Sequence, residues 1–155
     1  MAAAEKELDV EQGATFFLGF TWYPPGPTDP ETGLPTGSPH DLTGCTARMQ
    51  MRKKQGDPIL LTATSEDPGD PLDPLLVAAG AGRITLGGVT GRIEITLTDE
   101  DTDLLTFSQG RYDLEVEWPQ QPGELRPRVD RVLQGKVTVS PNITQVDGDD
   151  PPVNP

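Results

Sequence analysis

The sequence contains very few of the residues that perform chemistry in proteins. Among its 155 residues there is one cysteine, Cys45, and one histidine, His40. A single cysteine cannot form an internal disulfide, and one Cys with one His is too few for a structural zinc site. A Cys–His nucleophilic pair would also need a third group to orient the histidine. We therefore expect no enzyme activity, no catalytic residues, no metal and no cofactor.

Motifs for phosphate and calcium binding are also missing. Neither GxxxxGK[ST] nor GxGxxG occurs, and the glycines are spaced as turn and strand-entry residues. Asp99, Asp101 and Asp103 alternate as in a calcium loop, but Leu104 stands where glycine should follow and no bidentate glutamate lies at the required distance. The same three aspartates are ordinary residues for the start of a helix.

Positive charge is scarce. The chain has 12 Lys and Arg against 25 Asp and Glu, which gives a formal net charge of −13. Binding to nucleic acid through its backbone requires clustered cations, so this balance argues against a nucleic-acid partner. The same charge favours solubility and would steer the protein toward a basic partner surface.

Long apolar runs are absent. The hydrophobic fraction is 34%, and no run approaches the ~20 residues that cross a bilayer. The start MAAAEK has no apolar core of a signal peptide. We expect no membrane partner, and a protein that stays in a reducing cytoplasm unless lysis releases it.

What the sequence does contain is alternation, most clearly between residues 91 and 118. Apolar and polar side chains alternate strictly over residues 92–98 and again over 111–118, which predicts two half-buried strands. Thr98 or Asp99 can cap a single helical turn between them. Tyr112 in the second strand resembles the corner tyrosine of immunoglobulin-like sandwiches, whose hydroxyl bonds upstream backbone. The outward residues Arg111, Asp113, Glu115 and Glu117 are expected opposite Arg92 and Glu94 on a solvated face.

Further strands are predicted along the chain. Residues 14–23 place Phe16, Leu18, Phe20 and Trp22 on one face, which favours a core strand over a ligand-stacking strip. Residues 46–65 form a hairpin, and residues 83–86 and 128–139 form two more strands. The fold class is therefore all-β: an immunoglobulin-like antiparallel sandwich of seven to eight strands with one short helical turn and extended termini.

Proline, glycine and charge mark the boundaries of this domain. Residues 1–13 read as an N-terminal arm or as an edge strand around Leu8 and Val10, and residues 14–140 as the sandwich. Residues 24–40 form a long Pro/Gly loop, a length that is often functional. Residues 141–155 are an acidic, Pro-rich tail whose composition offers little apolar surface to bury.

Several segments resemble a group of small tailed-bacteriophage proteins. They read DLTGCTARMQMR from residue 41, ITL from 84, GRIEITLT from 91, GRYDLE from 110 and RVLQGKVTV from 131. The pattern is similar to the N-terminal immunoglobulin-like module of phage baseplate upper proteins, which hold receptor-binding proteins on the tail. This chain departs from it in its long 24–40 loop, and we expect it to lack a downstream coiled coil and receptor-binding domain.

The resemblance implies a virion structural protein present in multiple symmetric copies or as a homo-oligomer. We expect a tail or baseplate assembly adaptor that docks on other virion proteins through its termini and its loop. Two alternatives remain: a capsid decoration or head-fibre base protein, and a carbohydrate-binding module suggested by the aromatic strand. The residues predicted to contact partners share positions in the loop, beside it or in the tail: Trp22, Tyr23, Pro24, Pro25, Leu34, Val146 and Pro151.

Overall fold

A computed structural model describes residues 3–65 and 81–141 of the chain. Within these residues the regular structure is almost entirely extended. The strands are β1 (Ala4–Glu5), β2 (Leu8–Glu11), β3 (Phe16–Thr21), β4 (Thr46–Arg52), β5 (Leu61–Thr64), β6 (Ala81–Leu86), β7 (Arg92–Leu97), β8 (Gln109–Glu117) and β9 (Val129–Ser140). One helical turn, α1 (Asp99–Asp103), and a 3-10 turn (Gly88–Thr90) interrupt them.

The strands form one curled sheet in the order β1-β9-β8-β4-β5-β6-β7-β3, with β2 also pairing β9. The curl brings β9, β8 and β4 opposite β6, β7 and β3, so that their inner faces enclose a single hydrophobic core. Consecutive strands β7 and β8 lie on different layers, which is the arrangement of an immunoglobulin-like sandwich. The predicted fold class is confirmed.

Side-chain alternation fixes which face of each strand is buried. Ile93, Ile95 and Leu97 of β7 are fully buried, as are Leu114 and Val116 of β8, while the intervening residues reach solvent. Full burial of such a side chain contributes about 1.5–3 kcal/mol. The period-2 pattern of the sequence is therefore the main source of the core.

The hairpin predicted over residues 46–65 is present as β4 and β5. The two strands pair antiparallel, with Met49 opposite Ala63 and Met51 opposite Leu61. The second strand is shorter than predicted and begins at Leu61. Gly44, just before β4, has φ 78°, a left-handed backbone conformation that favours glycine.

The acidic segment after β7 is the predicted helical turn. The Thr98 hydroxyl accepts a hydrogen bond from the backbone N–H of Asp101 at 3.2 Å, and an Asp101 carboxylate oxygen accepts one from the Thr98 N–H at 2.9 Å. This reciprocal capping box satisfies two N–H groups at the helix start. The Asp101 carboxylate thus serves the cap. The sequence left two interpretations of these aspartates, a calcium loop and a helix start, and the structure shows the helix start.

The expected pairing of the β7 and β8 outer rows is wrong. Arg111, Asp113, Glu115 and Glu117 lie opposite residues of β4 and β9. β7 pairs β6 and β3 instead. The reason is topological: α1 carries the chain from one layer to the other, and alternation along a strand does not specify its neighbours.

The N-terminal segment is an edge strand, the second of its two sequence alternatives. β1 and β2 both pair parallel with β9, with Leu8 beside Val137 and Val10 beside Val139. Leu8 and Val10 are 2% and 1% exposed. This burial makes the segment part of the sandwich rather than an arm free to reach a neighbour.

The comparison of Tyr112 with a corner tyrosine needs a correction. Its hydroxyl does donate to backbone, at 2.7 Å, but the acceptor is the carbonyl of Lys6 between β1 and β2. A corner tyrosine bonds backbone only a few residues upstream. Here the bond fixes the N-terminal segment to β8, across 106 positions of sequence.

The acidic tail predicted at the C-terminus lies outside the described residues from residue 142 onward. Within residues 3–65 and 81–141, the helices fall short of the length and apolar character needed to cross a membrane.

Candidate interaction surfaces

An aromatic cluster closes the end of the sandwich where the long loop begins and ends. Trp22 follows β3, His40 ends the loop, and Trp118 follows β8. The Trp22 and His40 rings have centroids 4.0 Å apart, and Trp118 lies 5.7 Å from Trp22 and 5.6 Å from His40. Such tilted and edge-on ring pairs add about 0.5–1.5 kcal/mol to the effect of burial.

Polar contacts hold the outer ring of this cluster. The indole N–H of Trp118 donates to a carboxylate oxygen of Asp130 at 2.8 Å. The Arg128 guanidinium lies 4.7 Å from the Trp118 ring centroid and 3.4 Å from Asp130. The arginine therefore covers the indole with a cation–π contact while its charge is balanced.

His40 is a packing residue in this setting. Burial lowers its pKa below the ordinary value of 6.5, the nearby Asp130 carboxylate acts in the raising direction, and Arg128 acts in the lowering direction. Its Nε2 has no hydrogen-bond partner among the described residues. The imidazole therefore packs against both indoles, and burial favours its neutral form.

Cys45 does not have the environment of a nucleophile. Burial raises the pKa of its thiol, and the Asp41 carboxylate raises it further, against a smaller lowering by Arg128. A raised pKa keeps the sulfur protonated, whereas a reactive cysteine needs a lowered one. The residue half-buries its side chain against the core just before β4.

Both ends of the loop pack closely against Gly91. The Trp22 N–H donates to the Gly91 carbonyl at 2.9 Å, and the His40 N–H donates to the Trp22 carbonyl at 2.9 Å. A side chain at Gly91 would meet the Pro39 ring at 2.6 Å and the His40 carbonyl at 2.9 Å, and its φ of 66° is left-handed. Only glycine allows both ends of the loop to approach this closely.

The loop itself, residues 24–40, is braced internally. The Asp29 N–H donates to the Leu34 carbonyl at 2.8 Å, and both the N–H and the hydroxyl of Thr36 donate to the Pro27 carbonyl at 3.1 Å. An Asp29 carboxylate oxygen accepts from the Glu31 N–H at 2.8 Å. The loop is therefore ordered by hydrogen bonds between its own residues.

The predicted contact residues fall into three groups in the structure. Pro24 and Pro25 are exposed, Tyr23 is half-buried, and Leu34 is 64% exposed on the loop. Trp22 needs a correction: it is 7% exposed because the other two rings of the cluster cover it. Val146 and Pro151 lie outside the described residues.

The burial of Trp22 also bears on the sugar-stacking alternative. A carbohydrate platform needs an aromatic face open to solvent, and the Trp22 face is packed against His40. Phe16, Leu18 and Phe20 pack partly buried against the core, which confirms the core reading of this strand. Phe17, on its opposite face, is 56% exposed.

Two surface features were missed in the sequence. First, in the part of the chain that the structure describes, β3 has a single neighbour, β7, so one edge of the sandwich is open. Second, cations gather on the outer face of β4, β8 and β9, beside a groove of about 680 Å³. Both depend on strand order, for which the sequence carries no direct signal. A group of three or more possible metal ligands is not found among the described residues.

Comparison with known proteins adds little. No protein-family model matches the chain, and no curated protein matches it. Among solved structures it is similar to the extracellular domain of the voltage-gated sodium channel beta4 subunit, at 15% identity over 97% of both chains and a TM-score of 0.37. That protein is described as forming parallel homodimers with a role in cell-cell adhesion. A likeness this distant supports no conclusion about the present chain.

Proposed function

We propose that the chain is a non-enzymatic structural protein of a tailed-bacteriophage virion. It acts as an assembly adaptor in the tail or baseplate, in several symmetric copies, and is made in the cytoplasm of the bacterial host. The support is the set of segments that resemble baseplate proteins. All five overlap strands, namely β4, β6, β7, β8 and β9, where they supply buried positions of the sandwich.

The observation that carries the adaptor role is the braced loop of residues 24–40. It departs from the family pattern, yet it is fixed at both ends by Trp22, His40 and Gly91. A loop that is ordered before binding loses less conformational entropy on docking than a flexible one. Its exposed Leu34 offers apolar surface to a neighbouring subunit.

The structure changes which segments we propose for docking. The N-terminal segment is used within its own sheet, so we assign docking to the loop and to the open edge of β3. An open edge can accept a strand from a neighbour, and β3 has no charged residue to oppose this. Val146 and Pro151 in the tail remain predicted contacts.

Mass spectrometry of purified virions tests the assignment. The chain should be present in mature particles in a copy number set by tail symmetry. Its absence from particles, while it is abundant in the lysate, would contradict the proposal. A cryo-electron microscopy map of the particle would then separate a tail location from the alternative location on the head.

A substitution on the loop tests the docking element. Leu34→Asp should reduce incorporation into particles, because it places a charge in an apolar contact. Leu125→Asp is the matched control, since Leu125 is 99% exposed on a different connection, between β8 and β9. Equal incorporation of the two variants would show that the loop is not the contact.

A further inference from the structure

A row of three cations crosses the outer face of the sandwich. Arg111 of β8 lies directly opposite Arg52 of β4 on one side and Lys136 of β9 on the other. All three side chains point outward, because the residues before or after them on each strand are buried. Neighbouring strands lie about 4.8 Å apart, so the row is about 10 Å long.

The row is not neutralised by the chain. Arg111 and Lys136 make no ion pair with any residue in the described ranges, and Arg52 donates to the Asp57 carbonyl and the Gln50 side chain. Like charges placed directly opposite in a sheet are destabilising. The chain has 25 carboxylates for its 12 cations, yet none of the carboxylates described is paired with Arg111 or Lys136.

A groove of about 680 Å³ adjoins the row and has the same charge. Its lining includes Arg52, Lys54, Arg111 and Arg131. Asp113 is the carboxylate in this lining, and it already lies 3.6 Å from the Arg131 guanidinium. The groove therefore presents an excess of positive charge on a protein whose net charge is −13.

We propose that this basic row and its groove bind an acidic peptide segment of a partner protein. Carboxylates are the natural partners of guanidinium groups, which hold them through paired N–H donors. A short segment fits the charge distribution better than a nucleic acid does. Its carboxylates would lie within a Debye length of the row, about 8 Å at physiological salt, whereas a long polyanion would extend over the acidic remainder of the surface.

This site goes beyond the proposed virion role and does not depend on it. The row would bind an acidic segment whatever assembly supplied it. Particle composition tests the one proposal and peptide binding tests the other, so either can fail alone.

The test is binding of a fluorescent hexa-aspartate peptide to the full chain, measured by anisotropy at several salt concentrations. We expect saturable binding that weakens as salt rises, and no binding of a hexa-asparagine peptide. The double variant Arg111→Glu with Lys136→Glu should lower the affinity about tenfold or more. Arg126→Glu, an exposed arginine on the β8–β9 connection, is the matched control and should leave it unchanged.

Folding of the variants is checked by thermal unfolding. Because Arg111 is exposed and faces two cations, Arg111→Gln should not lower the midpoint. A reduced affinity in this stable variant then reports the site and not the fold. Affinity equal to that of the wild type in both Arg111→Gln and the double variant would overturn the proposal.

Two further arms identify other occupants. A single-stranded DNA oligonucleotide of the same charge that bound more tightly through Arg111 would overturn the peptide proposal in favour of nucleic acid. The variant Asp147→Asn, Asp149→Asn, Asp150→Asn tests the chain's own acidic segment. Peptide binding seen only in that variant would mean that the chain's own acidic segment occupies the site, and this would overturn the proposal of a partner segment. Absence of peptide binding in every variant would also overturn it.

Discussion

The loop of residues 24–40 and the N-terminal segment are both irregular in sequence, yet they are fixed to the sandwich by different sets of contacts. The loop is held by ring packing among Trp22, His40 and Trp118 and by two backbone hydrogen bonds at its ends. The N-terminal segment is held by strand pairing with β9 and by one hydroxyl, that of Tyr112. Side-chain packing contributes most to holding the loop, whereas strand pairing contributes most to holding the N-terminal segment, and both depend on a close backbone approach.

The backbone approach is tightest at Gly135. A Cβ at this position would collide with the Lys6 carbonyl oxygen, the same atom that accepts the Tyr112 hydroxyl. Gly91 has the corresponding role under the loop, where Pro39 leaves no room for a side chain. Gly135 in β9 and Gly91 just before β7 each leave room for an irregular segment, so each anchor can be tested by substitution.

The largest effect is expected from breaking the loop anchor with Trp22→Ala. Removing a buried indole should lower the free energy of unfolding by about 4 kcal/mol, the middle of the range for such truncations. The loop should also become more readily cleaved by a glutamate-specific endoproteinase after Glu31, which Thr32 follows. Urea denaturation and timed proteolysis measure the two effects.

The matched control is Phe17→Ala on β3, the strand that leads to Trp22. Phe17 is 56% exposed and faces away from the core, so the cost should be under about 1 kcal/mol. If the two variants lost equal stability, the cluster would not be the anchor of the loop.

Gly135→Ala breaks the other anchor. Displacing Lys6 should cost about 2–3 kcal/mol, as in other overpacked sites, and should increase amide exchange in β1 and β2. Gly37→Ala is the control, because a Cβ there has open space around it and the residue lacks a left-handed φ. Protection of β2 amides equal to that of the wild type would contradict this account of the edge.

Tyr112→Phe sharpens the comparison by removing one hydroxyl. Losing the bond to Lys6 should cost about 1 kcal/mol at neutral pH. Burial, with a smaller contribution from the Glu5 carboxylate, raises the pKa of Tyr112 from 10.0 to about 12. Since the folded-state pKa is the higher one, this contribution is complete below pH 10 and is lost as pH rises from 10 toward 12.

Unfolding of both proteins across this alkaline range measures the effect. The wild type should lose its advantage over the phenylalanine variant there. A constant difference between the two would mean that the hydroxyl does not titrate in contact with Lys6.

The smallest effect is expected from His40. Its pKa is lowered in the folded state by burial, so the unfolded chain takes up a proton first as pH falls below 6.5. Folding stability should therefore fall with pH below 6.5 and level off below the folded-state pKa. His40→Phe should remove this component while keeping the ring contacts. Equal pH slopes of the two proteins between pH 7.5 and 5 would contradict the assignment.

Much of the regular structure was predictable from local pattern. Strict alternation located β7 and β8, and Thr98 with its acidic successors gave the helical turn between them. The wrong inference was adjacency: Arg111 was expected beside Arg92 and lies beside Arg52 and Lys136. The basic row could not be predicted for that reason, because it joins three strands distant in sequence.

The candidate contact residues also show that residue type is read from the sequence whereas burial depends on the fold. Residue type suggested Trp22 as a contact, since an aromatic beside a Pro-rich loop resembles a binding strip. The fold brings Trp118 and His40 over it, and burial follows from that packing. Leu34 has no such neighbour in the described residues and remains exposed.

The sequence alone determined the strand positions, the buried face of each strand and the scarcity of reactive groups, because these depend on side-chain period and composition. Tertiary structure alone decided that the N-terminal segment forms one edge of the sheet and that β3 forms the other. It also decided that cations of β4, β8 and β9 meet on one face. The physical reason is that hydrogen bonding between strands joins residues far apart in the chain, and the backbone groups that form those bonds are the same for every sequence.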